Sequence, residues 1–265
     1  MSRLRDRALG LGMLLLLLGL WEGACRGLGL PPYLLPPPSR VGAAILALAP
    51  ELLLHGSVTL GEMVLGILLG LGTALLVGGL LFALPWAERA VLPLLVATQA
   101  APVFALAPLL VVWFGFGMGP KVALTALVVF FPVALGFLQG LRHRDRGREE
   151  LLRLMGAGRV ARFRAFHLPG ALPSLMGGLK TGVCVAPIGA VLGEWCGASR
   201  GLGFLMLQAN ARLATDRVFA ALAVLVVLGT GLYGAVDRLE RRLVWWTRPE
   251  GRARWLRERE RTDGR

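Results

Sequence analysis

Apolar runs alternate with short polar segments along this chain, at residues 8–21, 57–83, 92–114, 122–141, 174–192 and 218–236. About 20 apolar residues let a helix cross roughly 30 Å of hydrocarbon. Lipid offers no partner to an open backbone group, so runs of this kind are expected to be helical. Pro85-Trp86 closes the second run, Pro102 and Pro108 interrupt the third, and Pro132 lies inside the fourth. The first run follows Arg3, Arg5 and Arg7, as in a signal peptide, and Ala24-Cys25 faintly resembles a lipoprotein cleavage site. Glu22 stands where such a site needs an aliphatic residue, so the expectation is an uncleaved first helix. The proline-rich stretch 31–38 is excluded from helix. Ser39 is expected to cap a short helix running to about Leu54, with Ile45, Leu48 and Leu52 on one side.

Composition sharpens this into a class. Of 265 residues 55% are hydrophobic and 17% charged, with a mean hydropathy of +0.65, which points to a single membrane bundle of helices. A net charge of +13 would raise the question of nucleic acid, but the charges fall between the apolar runs and in the tail. No basic stripe is interleaved with aromatics, so nucleic acid is excluded as a partner and membrane lipid takes its place. Odd-even assignment puts 22 of the 29 Lys and Arg on the side of both termini and 6 on the other, with Lys180 inside the fifth run. That bias predicts cytoplasmic termini. The expected organisation is a cytoplasmic N-terminus at 1–7, a transmembrane domain at 8–241 and a basic cytoplasmic tail at 242–265. Gly66-xxx-Gly70 and Gly115-xxx-Gly119 have the spacing of close helix packing.

The polar loop within 142–169 is the most informative segment. Two short helices are expected there, broken at Gly156-Ala157-Gly158, with Leu168-Pro169 stopping the loop and turning the chain into the next span. Glu150 precedes Gly156 by six residues, and nine residues from Ala157 to Ala165 lead to Phe166-His167-Leu168-Pro169. This resembles the signature loop of permeases of binding-protein-dependent ABC importers, with Leu151-Leu152 in place of two small residues and Phe166 in place of isoleucine. The segment from Leu34 to Val41, Gln99-Ala100-Ala101-Pro102 and Trp113-Phe114-Gly115 resemble the nitrate, sulfonate and taurine group. Thr215-Asp216 before the last run, and Asp237 with Leu239 to Leu243 after it, fit the same group. Pro187 to Val191, Gly193-Glu194-Trp195, Gly201 to Met206 and Ala209 to Arg212 look most like permeases for hydroxymethylpyrimidine, a thiamine precursor.

The resemblance implies an all-α type I importer permease with six transmembrane helices in a bacterial inner membrane. It implies a coupling loop in which Glu150, Leu151, Leu152, Gly156, Phe166, Leu168 and Pro169 meet an ATPase. It further implies a second permease subunit as in a homodimer, two ATPase subunits holding ATP and Mg, and a periplasmic or lipid-anchored binding protein. No cofactor is expected on this chain. Glu62, Thr98, Gln99 and Trp113 are the candidates for the translocation pathway. Glu62 either lines that pathway or pairs near the membrane edge, Lys180 is expected to snorkel to the cytoplasm, and Trp113 is expected to anchor at the interface. Cys25, Cys184 and Cys196 form no CxxC pair, and His55, His143 and His167 no HxxxH pattern, so no metal site or catalytic residue is expected. An intramembrane hydrolase is the distant alternative, without a GxSxG, HExxH or aspartate pair to support it. A secondary transporter would predict related halves, and none is evident. Gly177-Gly178-Leu179-Lys180-Thr181 lacks the glycine before lysine that a phosphate-binding loop needs.

Overall fold

The computed structural model describes residues 2–98, 102–142 and 146–247, and these form helices and the turns between them. The order is α1 (Ser2–Gly27), α2 (Pro38–Ala47), α3 (Ala49–Ala83), α4 (Pro85–Thr98), α5 (Val103–Phe114) and α6 (Met118–Arg142). It continues with α7 (Arg146–Leu154), α8 (Arg159–Arg162), α9 (Leu168–Trp195), α10 (Leu202–Ala211) and α11 (Thr215–Leu243). A π-helical turn, Phe163–His167, joins α8 to α9. Among the described residues four helices are long and apolar enough to cross a membrane: α3, α6, the unbroken rod Arg159–Trp195, and α11.

Three boundaries differ from expectation, each for a local reason. α2 stops at Ala47 and α3 starts at Ala49, eight residues before the second apolar run. Pro50 lies in the first turn of α3, where a missing N–H costs nothing. Ser39 is not a cap: Pro37 occupies that position, while the Ser39 backbone N–H and hydroxyl both donate to the Glu22 carboxylate, at 2.9 and 2.8 Å. The third apolar run forms two helices, with extended Pro102 opening α5. Residues 99–101, including Gln99, lie outside the described residues.

α6 is the centre of the bundle, packed along α3 on one side and α9 on the other. Small residues make both approaches possible. A Cβ on Gly70 would lie 2.8 Å from the Ala126 carbonyl, and one on Gly140 would lie 2.8 Å from that of Ala171. Gly66 and Gly70 therefore do pack as their spacing predicts. Gly115 does not: it ends α5 at a φ of 74° and a Cβ there would meet open space. Met63, Leu124, Val129, Val133 and Val183 fill the interior. Leucines 14–17 of α1 stay exposed, and that helix is held to α11 by a Trp21–Phe219 ring contact.

Lys180 reaches past the end of the sixth apolar run. It donates to Asp237 of α11 at 3.0 Å and also pairs with Glu240, with the Tyr233 ring centroid 5.9 Å away. A charged partner on the neighbouring helix offsets the cost that snorkelling would otherwise relieve. At the opposite end Arg40 pairs with Asp216 at 3.3 Å, and Thr215 donates to the Tyr33 carbonyl at 2.6 Å. These contacts dock the proline-rich segment on the start of α11.

Candidate functional site

Two regions stand out, one at each end of the rod Arg159–Trp195. The first is α7 with the turn that follows. Leu154 ends α7, and the Ala157 and Gly156 backbone N–H groups then donate to Leu152 and Arg153 carbonyls, both at 3.0 Å. Those two bonds form a Schellman cap, which needs a left-handed residue just past the helix. Gly156 supplies it, at φ 77°. The expected break is therefore real, and its cause is a helix cap.

α7 has two distinct faces. Glu149 is buried and binds Arg153 at 2.8 Å and Arg162 of α8 at 3.8 Å, fastening the helix to the rod. Glu150 and Leu151 point to the other side and are exposed, while Leu152 is half-buried. Leu154 and Met155 are 86% and 74% exposed and extend the apolar surface of Leu151. A cluster of that kind on a polar helix is an exposed apolar patch of the sort that contacts another protein or the membrane.

Phe166, Leu168 and Pro169 are not part of this exposed surface. They are half-buried within the rod, which runs on without the expected stop because Pro169 falls in the first turn of α9. The π turn just before it places Phe163 and His167 against Phe82 of α3, at ring-centroid distances of 6.0 and 5.1 Å. A single π turn is a frequent device for re-aiming side chains inside a helix. At the same end Glu88 of α4, itself buried, pairs with Arg142 at the last turn of α6.

The second region is a buried polar cluster where α3, α6, α9 and α10 meet. Lys121 of α6 donates to Glu62 of α3 at 2.7 Å, and the two side chains are only 9% and 1% exposed. Glu62 thus takes the pairing alternative. Beside it Glu194, at the end of α9, accepts the backbone N–H groups of Gly203 and Phe204 at 2.5 and 3.2 Å. Thr59 donates its hydroxyl to Glu194 at 2.6 Å and accepts the Leu202 N–H at 2.8 Å. His55 Nδ1 accepts the Gly201 N–H at 2.9 Å.

All four donors opening α10 are therefore met by side chains of other helices, where a helix start normally leaves them orphaned. The Glu194 carboxylate also sits where the helix dipole favours negative charge. Gly201, at φ 124°, and Gly203 leave room for it: a Cβ on Gly203 would lie 2.8 Å from its oxygen. Sequence reasoning quoted Glu194 and Gly201 to Met206 only for their resemblance and took His55 as incidental. Of the pathway candidates, Trp113 is 70% exposed and Thr98 closes α4.

Comparison with known proteins decides the family, since the "Binding-protein-dependent transport system inner membrane component" family matches residues 63–245. The chain belongs to that family. The matched residues run from within α3 through α11 and contain the α7 turn, Lys121 and Glu194, while α1, α2 and the first part of α3 with His55, Thr59 and Glu62 precede them. The formylaminopyrimidine transport permease protein ThiX of Halalkalibacterium halodurans is 38% identical over 237 residues, covering 89% of this chain and 94% of that protein. The riboflavin transport system permease protein RibX of Chloroflexus aurantiacus is 39% identical over 249 residues, 93% of each. The taurine transport system permease protein TauC of Escherichia coli is 33% identical over 249 residues, 91% of this chain and 90% of that protein. This chain is accordingly a multi-pass inner-membrane permease component of a binding-protein-dependent transport system, and it is a transport subunit rather than an enzyme.

Proposed function

We propose that this chain moves a small planar heterocycle, hydroxymethylpyrimidine or a related thiamine precursor, into the cytoplasm by alternating access. The observation that carries the substrate class is 38% identity across nearly the whole chain to a permease named for formylaminopyrimidine. The similarly close riboflavin permease favours flat heterocycles over small inorganic or sulfonate anions. Nitrate, sulfonate or taurine is the second reading, supported by the taurine relative.

In this reading two copies face each other in the membrane, each crossing it six times, with α4 and α5 together making one crossing and both termini in the cytoplasm. Two ATPase subunits bind ATP and Mg and engage α7. Leu151, Leu154 and Met155 seat in the ATPase, Glu150 sets register, and Gly156 fixes the angle between α7 and the rod. Closure of the ATPase pair then moves the rod as a rigid body. The pathway follows the groove of about 650 Å³ between α6 and α9, lined by Gln139, Ser174 and Thr181 with Phe131. Its amide and hydroxyls suit the edge of a heterocycle, and its phenyl ring suits the face.

The cognate binding protein provides the test. Titrated with hydroxymethylpyrimidine, formylaminopyrimidine, riboflavin, taurine and nitrate, it should bind a pyrimidine most tightly. A preference for taurine or nitrate would move the assignment to the second reading, and a preference for riboflavin would remove the pyrimidine.

A further inference from the structure

An open groove of about 580 Å³ lies between the last turns of α3, α7 and the start of the rod. One wall is apolar, formed by Phe82, Val160 and Phe163. The rim is cationic, formed by Arg153, Arg159 and Arg162 with Glu149 as the carboxylate among them. Arg153 and Arg162 both draw on that one carboxylate, at 2.8 and 3.8 Å, and among the described residues Arg159 has no acidic partner. Three guanidinium groups around one carboxylate leave an excess of two positive charges. The Arg162 Nε is buried with no hydrogen-bond partner among the described residues. A guanidinium edge left in that state is costly, and the excess positive charge on the open rim is what would draw an anion from outside.

We infer that this groove binds the headgroup of an anionic phospholipid from the cytoplasmic leaflet. The phosphate would sit among Arg153, Arg159 and Arg162, with an acyl chain against Phe82 and Phe163. The lipid source follows from position: the groove opens at the end of a 35-residue apolar helix, where headgroup and hydrocarbon meet. Basic pockets between transmembrane helices on the cytoplasmic side suit such headgroups. A free anion would use the rim and leave the apolar wall empty. Because the groove joins α7 to α3, an occupant would brace the surface offered to the ATPase, and anionic lipid would tune coupling. The leaflet assignment rests on cytoplasmic termini.

The test uses the full transporter in nanodiscs of phosphatidylcholine with a photoreactive phosphatidylglycerol, followed by mapping of the labelled peptides. Label should fall on residues of the groove. Arg159→Gln and Arg162→Gln should each lower it about tenfold, the effect of losing one charge-assisted contact, and Arg159→Lys should retain most of it. Arg159 is exposed, so its glutamine variant keeps the fold. Unchanged labelling in both glutamine variants would overturn the proposal. So would displacement of the label by inorganic phosphate at millimolar levels, which would make the site one for small anions. Labelling that appears only when the ATPase is removed would assign the groove to the ATPase and also overturn it. Delivering the probe to one leaflet at a time separates this inference from the topology: groove labelling from the outer leaflet alone would reverse the orientation while the site stands.

Discussion

The Lys121–Glu62 pair offers a perturbation whose size can be worked out in advance. At 2.7 Å, and at an effective dielectric of about 20, two unit charges attract by roughly 6 kcal/mol. Burying each ion costs several kcal/mol, so the intact pair contributes little net stability. Removing one member is a different matter. Lys121→Met leaves Glu62 buried beside Glu194, two carboxylates with no cation between them, and should cost about 3–5 kcal/mol. At about 2–4 °C per kcal/mol for a chain of this size, unfolding should fall by roughly 10 °C. The double variant Glu62→Leu with Lys121→Met removes both charges at once and should recover most of that loss. Thermal unfolding of detergent-purified protein, followed by tryptophan fluorescence with membrane abundance as control, measures all three. If Lys121→Met melts with the parent, or if the double variant is no better than the single, the buried-pair account is wrong.

Thr59→Val keeps the shape but leaves the Leu202 N–H without its acceptor and Glu194 with one donor fewer, so it should cost about 1–3 kcal/mol in the same unfolding assay. It should also raise amide hydrogen exchange at the start of α10 before it affects α6. Gly156→Val forces a β-branched residue into the left-handed region at a cost of roughly 1–2 kcal/mol and should reduce ATPase co-purification and transport at normal abundance, with Glu150→Ala milder. Full partner binding by Gly156→Val would remove α7 from the coupling role. Single cysteines at Leu154 and Ser199 should react with impermeant maleimide from opposite faces of the membrane, Leu154 from the cytoplasm alone. Reaction of both from outside would refute the six-crossing arrangement.

Much of this architecture was legible in the chain because lipid-facing helices must announce themselves as long apolar runs. α6 and α11 lie close to their expected spans, and the break at Gly156 followed from glycine next to a periodic segment. One failure came from proline: Pro169 was read as a stop, but it sits in a first helical turn and leaves no broken bond, so the continuity of the rod was lost. The short helix expected to run to about Leu54 passed over the real junction at Leu48, so the α3 start was missed as well. The polar cluster was invisible for another reason: Thr59 and Glu194 are 135 positions apart, and His55 and Gly201 are 146 apart. Nothing in a single sequence couples such positions. Glu149 and Glu150 are neighbours with opposite fates, and only the helix phase set by Arg162 separates the anchored carboxylate from the free one.

The 37-residue rod is pinned at both ends, by the Schellman cap below α8 and by Glu194 under α10. Over its length of about 55 Å it acts as a clocked shaft. Each residue added or lost turns the far end by about 100°. An indel within Leu168–Trp195 would rotate Glu194 away from Gly203 and Phe204 or else twist α7 out of its seat. The π turn Phe163–His167 is where the shaft already carries one surplus residue. A single deletion there would convert it to plain α-helix with both ends still in phase. Length variation among chains built on this plan should therefore be confined to that one turn, with the rest of the shaft fixed in residue count.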